Sequence, residues 1–554
     1  MRSHIRNRWI VLSPLSFISL FITILSSCNS SKKDSTDNPH DSVWSDRDYS
    51  ELHLDSVSIQ NFLSSDTHYR AVSQSVLQFY RDRSYQFAWI SEGKPGPAGP
   101  NFYNQLENYM HDFADSSLYD PRLNSVLDDA VDDDRSPNLQ TLTELELRLT
   151  LAWFRYTESE LHGKVKNPKT LDWFIPRKKK NYEALLHVHL QTGALFGLEE
   201  PTNPYYMRLK EKVRAYVSLD RSGKWPMVDS LFLKAKPGQV DSSVREVKKI
   251  LRLTNDWTES DSGAVYSKSF GLALAQFQHR MGLPETGKPD QATVRELRVP
   301  LKNRIRQMMV NLERLRWLPD TLAGNFLVVN IPEYKLHVFE NGQPAWESNV
   351  VVGKIAGRTQ IFKGNLSQII LNPSWGVPPG IASKEVLPGL KKDRHYLDRH
   401  QMEAFEGNTL LDTRRINWHR YEKRMPFNIR QKAGPDNPLG RFKFYLSNSY
   451  WIYLHDSNEK YLFDAHRRAF SHGCIRVEKA DSLARYILRN DTNWPGNRIN
   501  KMLDSKTDFG ISVKPVVPVY IVYLTSWVGR NGELHFQKDV YQRDDILAKS
   551  VFGE

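Results

Sequence analysis

The sequence predicts a multidomain α+β protein: a mainly helical scaffold, a small helical module, and a mainly antiparallel β domain interrupted by an insertion. Three observations carry that prediction. Apolar residues recur at helical spacing through the first half of the chain, and a glycine-bracketed turn near 282–287 separates two helical patterns. After Pro319 the pattern changes to short β-rich runs joined by turn signals. A chain of 554 residues is too long for one ordinary core and fits about three domains.

The chain opens on Arg2, Arg6 and Arg8, followed by a largely apolar run from Trp9 to Leu25 and the ending Leu25-Ser26-Ser27-Cys28. The run is short for a membrane span and no other stretch is long and apolar enough for one, so residues 1–27 read as an export signal. The ending resembles the lipobox of bacterial lipoproteins. That resemblance makes Cys28 the expected lipidation site, with the several acyl chains of such proteins as a firm anchor. Residues 28–45 are polar and poor in apolar groups and read as a flexible tether. The formal charge is +12, and removal of three arginines and no acids with the signal leaves 12 − 3 = +9. Such a surface suits anionic wall polymer and lipid headgroups. A nucleic-acid partner is not expected for an exported chain without zinc-finger or helix-turn-helix spacing.

Residues 46–242 form the expected helical scaffold, with Val72, Val76, Phe79 and Tyr80, then Leu142, Leu145, Leu149 and Trp153, on helical faces. Gly93-Lys94-Pro95-Gly96-Pro97 and Pro168 interrupt it, and Trp89, Trp153 and Trp173 read as core. The module at 243–300 carries the stripe Phe270, Leu274, Phe277 and Met281. A second helix follows from Gln291, with Asp290 placed to cap it. A linker helix spans 301–325. Strands are expected at 326–331 and 335–339, with Asn341-Gly342 as a hairpin turn, and at 346–352, 367–371, 442–446, 450–455 and 516–527. The β domain is bounded at 326–500. Residues 501–554 are expected as a strand-rich extension packing on it, with a hairpin at 530–536 and an edge or tail segment at 538–541. The stretch 383–430, with Lys391, Lys392, Arg394, His395, Arg399 and His400, lacks a β pattern. It reads as a flexible cap or a surface excursion.

The chemistry concentrates at 453–476. The chain has two cysteines, and if Cys28 is lipidated, Cys474 is an unpaired thiol in an oxidising compartment. A lone thiol is either reactive or a small buried hydrophobe. Ser471-His472-Gly473-Cys474-Ile475-Arg476 follows the strand end Tyr453-Leu454-His455-Asp456, and Ser471 lies sixteen positions after His455. His455, oriented from a separate strand, is the favoured base; it takes the thiol proton and yields a thiolate near neutral pH beside an imidazolium. His472 is the alternative base, since in an extended backbone it faces the same way as Cys474. Gly473 permits an unusual backbone angle and close substrate approach, so the Gly473 and Cys474 amides are a candidate oxyanion hole. Ser471 is placed to hold a histidine or a substrate atom. Arg476 offers a fork for a carboxylate or joins a structural ion pair. Asp456 is a poor orienting partner for His455, and a backbone carbonyl would serve. No metal is expected, because His455, His472 and Cys474 lack a fourth ligand at suitable spacing.

Two resemblances sharpen these readings. Ala275-Gln276-Phe277-Gln278 through Gly282-Leu283 and Gly287 to Thr293 resemble the peptidoglycan-binding type 1 domain, a family of three packed helices. His455 with Phe470-Ser471-His472-Gly473-Cys474-Ile475-Arg476-Val477 resembles the signature of the L,D-transpeptidase catalytic domain, the YkuD domain. The order of export signal, scaffold, peptidoglycan-binding module and interrupted catalytic domain resembles the large YcbB-type subgroup. There the insertion is a capping subdomain, and some members carry serine at the position of His472. Asn372-Pro373-Ser374-Trp375 with Pro378-Pro379, and Asn437-Pro438-Leu439-Gly440, resemble segments flanking the groove, which adds Asn372, Trp375 and Tyr453 to the substrate-binding candidates. The resemblance implies a cysteine-dependent acyltransferase without a cofactor that joins two peptidoglycan stem peptides, one as donor and one as acceptor, through a thioester on Cys474. It yields 3→3 cross-links with release of D-alanine, in the periplasm of a membrane-anchored protein, and Cys474 is a target for carbapenems. Hydrolysis of the same thioester would make the protein an L,D-carboxypeptidase. A noncatalytic wall-binding lipoprotein is the other alternative. The large scaffold suits a place in a wall-synthesis complex, and no oligomeric state is assigned.

Overall fold

The computed structural model describes residues 50–65, 69–131, 137–176, 181–192, 203–319 and 322–554. The expected signal, Cys28 and the tether lie outside the described residues. The scaffold is helical for the reason its pattern suggests. In the helix Leu139–Thr157, Leu142, Leu145, Leu149 and Trp153 are buried, and Asn138 caps the start by accepting from the Thr141 amide at 2.8 Å. Trp89, Trp153 and Trp173 are core residues. The next module packs the helices Ser242–Leu253, Lys268–Arg280 and Gln291–Leu297, the last capped by Asp290, which accepts from the Thr293 amide at 2.6 Å.

The helix Leu301–Arg316 does more than link. Its Arg316 pairs with the buried Glu160 at 2.7 Å, its Glu313 accepts from the Val165 amide at 3.0 Å, and its Arg314 pairs with Asp544 at 2.6 Å. It therefore fastens the scaffold to the carboxy-terminal segment through buried, partnered charges.

One large sheet carries the β domain. Its strands are β1 (Trp173–Phe174), β2 (Phe326–Asn330), β3 (Lys335–Glu340), β4 (Gln343–Gly353), β5 (Ile361–Leu371), β6 (Phe442–Leu446), β7 (Leu454–His455), β8 (Ala469–Ser471), β9 (Ile475–Val477) and β10 (Phe509–Val522). The order β6-β7-β9-β4-β3-β2-β10-β5 returns to β6 through a β5–β6 pairing, so these strands close on themselves, while β1 pairs with β5 and β8 with β4. Closure leaves few open edges. The sheet is mixed: β7 runs parallel to β9, β10 to β2, β8 to β4 and β1 to β5. The β3–β4 hairpin turns on Asn341 and Gly342, both at positive φ (50° and 73°), as a two-residue turn of this hand requires.

Several expectations change. The strand expected at 516–527 begins at Phe509 and stops at Val522. Beyond it the Asn330 and Asn311 side chains accept from the Leu524 and Thr525 amides (2.9 Å each) in place of ladder partners. Because β10 lies between β2 and β5, residues 509–522 belong inside the sheet rather than to an extension packing on it. The strand expected at 450–455 shrinks to Leu454–His455, since Asn448 accepts from the Tyr450 and Ile452 amides (2.9 and 3.2 Å) and Trp451 sits at φ 59°. Residues 538–541 are not an edge strand, and Tyr541 is buried.

The stretch 383–430 does contain strands. Trp375–Val377, Met402–Glu406, Thr409–Leu410 and Asn428–Gln431 make a four-stranded sheet, and Val386, Leu387, Leu390, Leu397, Trp418 and Ile429 make a small core separate from the main one. Its charged outward faces hide the apolar alternation in the sequence. The subdomain leaves the main sheet after β5 and returns at β6, where the last residue of β5, Leu371, pairs with the first of β6, Phe442.

Candidate active site

Sheet register brings the expected residues to one face. Lys443 pairs with His455 across β6–β7, and His455 pairs with Arg476 across β7–β9. The Ile475 amide donates to the Tyr453 carbonyl at 3.1 Å, which extends that pairing to set Tyr453 opposite Cys474. Side chains alternate along a strand, so Lys443, Tyr453, His455, Cys474 and Arg476 face the same side, while Leu454 and Ile475 are buried on the other. His455 and Cys474 are diagonal neighbours, for which Cα atoms stand about 7–8 Å apart, within reach of an imidazole and a thiol. The Tyr453 and His455 ring centroids are 5.6 Å apart, and the Tyr453 side chain lies near the sulfur. The sulfur itself points at the Trp451 carbonyl (3.7 Å), which the left-handed backbone at Trp451 presents.

The loop 471–474 is held from within. The Ser471 hydroxyl donates to the Cys474 carbonyl at 2.5 Å and accepts from the Gly473 amide at 3.1 Å. Ser471 thus braces the loop and does not face a ligand. Its acceptance of the Gly473 amide also removes that donor from the expected oxyanion hole, leaving the Cys474 amide as the candidate. Gly473 has φ 129°, where glycine is favoured; the space around it would admit a Cβ, the nearest atoms being 3.7 Å away, so conformation and not crowding demands glycine.

A residue without any sequence signal supports this loop. Thr359, fully buried, donates its hydroxyl to the Gly473 carbonyl at 2.8 Å and accepts from the Gly353 amide at 2.9 Å. Tyr541 backs it, donating to the Gly353 carbonyl at 2.6 Å and accepting from the Thr359 amide at 3.2 Å. A lone threonine between two strands has no spacing to announce such a role, and Tyr541 lies in the segment expected as a tail.

The electrostatics correct the expected ion pair. Burial, then the nearby Arg476 and Lys443 charges, push the His455 imidazole down to about 3, against the backbone of Asp456 and Pro438. Burial pushes the Cys474 thiol up, partly opposed by the Tyr453 backbone and hydroxyl and by Lys443. At neutral pH both groups are therefore uncharged at rest. Among the described residues the buried His455 Nδ1 has no hydrogen-bond partner, which leaves it available for the thiol proton. The Pro438 backbone is presented by the turn Asn437-Pro438-Leu439-Gly440, in which the Asn437 side chain donates to the Pro373 carbonyl (2.8 Å) and accepts from the Leu439 amide (2.9 Å). Gly440 there has φ 60°, and a Cβ would lie 2.4 Å from the Asp456 carboxylate. That carboxylate turns away from the site, toward the Arg441 amide (2.9 Å) and Lys460 (2.5 Å).

The remaining candidates divide. Arg476 pairs with Glu459 and contacts Ser457 at 3.3 Å, so its fork is engaged. His472 is exposed, 3.3 Å from Lys354, and feels the Glu385 charge of the capping subdomain. Trp375 belongs to the capping sheet, opposite Gln431. Asn372 is buried, and its amide donates to the Met502 and Leu503 carbonyls (3.0 Å each), a structural tie and not a groove contact. Among the described residues, no group of three or more histidine, cysteine or acidic side chains is placed to hold a metal ion.

Comparison with known proteins agrees with this domain content. Residues 324–517 match the family described as "L,D-transpeptidase catalytic domain", residues 74–212 a "Scaffold domain", and residues 241–297 a "Putative peptidoglycan binding domain". A "Putative L,D-transpeptidase" of Haemophilus influenzae is 35% identical over 243 residues, 44% of this chain; the match spans about half of that relative, 49% of its length. Among solved structures, an L,D-transpeptidase from Stackebrandtia nassauensis has 14% identity and TM-score 0.22, covering 54% of this chain and 96% of that one. One from Mycobacterium smegmatis has 12% identity and TM-score 0.19, covering 36% and 59%. The chain thus carries an L,D-transpeptidase catalytic domain together with a peptidoglycan-binding domain.

Proposed function

We propose that the protein is a peptidoglycan L,D-transpeptidase that forms 3→3 cross-links through a thioester on Cys474. The observation that carries this reading is the convergence of a free thiol, a buried imidazole with an open Nδ1, and the Tyr453 ring on one face of the sheet. His455 takes the thiol proton as the sulfur attacks the carbonyl of the third residue of a donor tetrapeptide. The tetrahedral oxyanion accepts a hydrogen bond donated by the Cys474 amide. The carbon–nitrogen bond then breaks, and His455 passes the proton to the leaving amine of D-alanine. In the second half His455 removes a proton from the acceptor side-chain amine, whose nitrogen displaces the sulfur, and the proton returns to the thiol. The cap, joined to the sheet beside this face, suits a role in ordering the two peptides and limiting water. The amino-terminal pattern supports attachment to a bacterial membrane by a lipid at Cys28, with the catalytic domain in the periplasm.

The test is incubation with purified tetrapeptide muropeptides. Cross-linked dimers with free D-alanine support transfer, and tripeptides alone mean trimming by hydrolysis. Cys474→Ala is expected to abolish both products and the acyl-enzyme mass. Retention of a thioester adduct by that variant would sink the mechanism.

A further inference from the structure

Lys443 is a cation on the catalytic face that the transfer steps above do not use. Its strand pairing with His455 directs it to the side that carries Tyr453 and Cys474. Its Nζ lies 4.1 Å from the centre of the Tyr453 ring, and Tyr453 stands opposite Cys474 in the strand register. The charge is half-buried, and among the described residues it has no carboxylate partner and no hydrogen bond. The neighbouring cations differ: Arg476 is paired with Glu459, and Lys460 with Asp456. The acid that Lys443 does feel, Asp508, is held by the Ser374 amide and hydroxyl at 3.0 and 3.1 Å. Burial pulls Lys443 down from the usual lysine range, opposed by Cys474 and Asp508.

A half-buried ammonium without a counterion is costly unless an anion arrives with the ligand. Resting on the transpeptidase reading, we propose that Lys443 binds the terminal carboxylate of the donor stem, that of the D-alanine about to leave. That carboxylate lies one residue beyond the carbonyl attacked by Cys474, within reach of a lysine rooted opposite His455 whose Nζ stands over the Tyr453 ring. In a stem longer by one residue the carboxylate would sit about 3.5 Å farther along the chain. Lys443 is then the gauge that selects tetrapeptide donors.

The full-length protein is to be offered a synthetic tetrapeptide stem with a free terminal carboxylate, and the same peptide as its terminal carboxamide. Acyl-enzyme formation is followed by intact mass, and the leaving group as D-alanine or D-alaninamide. Loss of a charge-assisted hydrogen bond predicts that the wild type acylates about 10- to 100-fold faster from the acid. In Lys443→Met the loss is expected to fall on the acid alone, bringing the two peptides to near parity, while Lys443→Arg keeps the preference for the acid. Equal use of acid and amide by the wild type, or a preference kept by Lys443→Met, overturns the carboxylate site. The wild-type comparison decides even if a variant misfolds. Failure of the wild type to be acylated by either peptide overturns the transpeptidase reading, and this inference with it.

Discussion

The resting state of the thiol gives the sharpest test of the site. With His455 held at about 3 and Cys474 raised from an ordinary 9.0, the two lie more than 9.0 − 3 = 6 pH units apart. Moving the proton from sulfur to imidazole in the free enzyme therefore costs roughly 8 kcal/mol or more. Attraction between two unit charges, about 4 kcal/mol at about 4 Å and an intermediate dielectric, offsets only about half of that. The ion pair is then populated at roughly one part in a thousand or less. Alkylation of Cys474 by uncharged iodoacetamide, followed by intact mass from pH 5 to 10, is expected to be slow at neutral pH. It should climb about tenfold per pH unit toward the alkaline limit, as direct thiol ionisation requires. A plateau reached below pH 7, the mark of a preformed thiolate–imidazolium pair, would refute the reasoning. Activation would then precede substrate binding instead of accompanying it.

Thr359→Val leaves the Gly353 amide and the Gly473 carbonyl unpartnered in a buried place, at about 1–3 kcal/mol each. It should lower kcat of the transfer assay strongly, whereas Thr359→Ser, which keeps the hydroxyl, should retain most activity. Gly473→Ala places a side chain at φ 129° and is expected to cost about 1–3 kcal/mol locally, read as lost acylation with little change in the far-ultraviolet circular dichroism. His455 binds fewer protons folded than unfolded between its ordinary 6.5 and about 3. Its contribution to stability is present above 6.5 and is lost as pH falls toward 3, so melting temperature should drop across that window less steeply in His455→Gln. Cys28→Ala should abolish incorporation of labelled palmitate and release the protein from membranes.

The legibility of this protein follows the range of the interactions involved. Helical faces such as Leu142, Leu145, Leu149 and Trp153, the Asp290 cap and the Asn341-Gly342 turn are encoded by residues within a few positions of one another. Sequence alone therefore suffices for them. The nucleophile loop was legible for the same reason. Less legible were features whose partners are far away in the chain. Asn372 resembles a groove residue by motif, yet Met502 and Leu503 claim its amide. The cap's strands were hidden because a small subdomain buries only one side of each, and charged residues fill the other.

The sequence by itself determined the helical faces, the Asp290 cap and the short motif that holds His455 and Cys474, because local periodicity and near-neighbour residues carry that information. Tertiary structure decided the rest. It made β10 an internal strand, turned the Gly473 amide inward to Ser471, recruited Thr359 and Tyr541 behind the loop, and gave Lys443 no carboxylate partner among the described residues. It also reversed the expected charge state of the site. Burial and two neighbouring cations act on His455 through space, and no spacing along the chain reports how much water a side chain has lost.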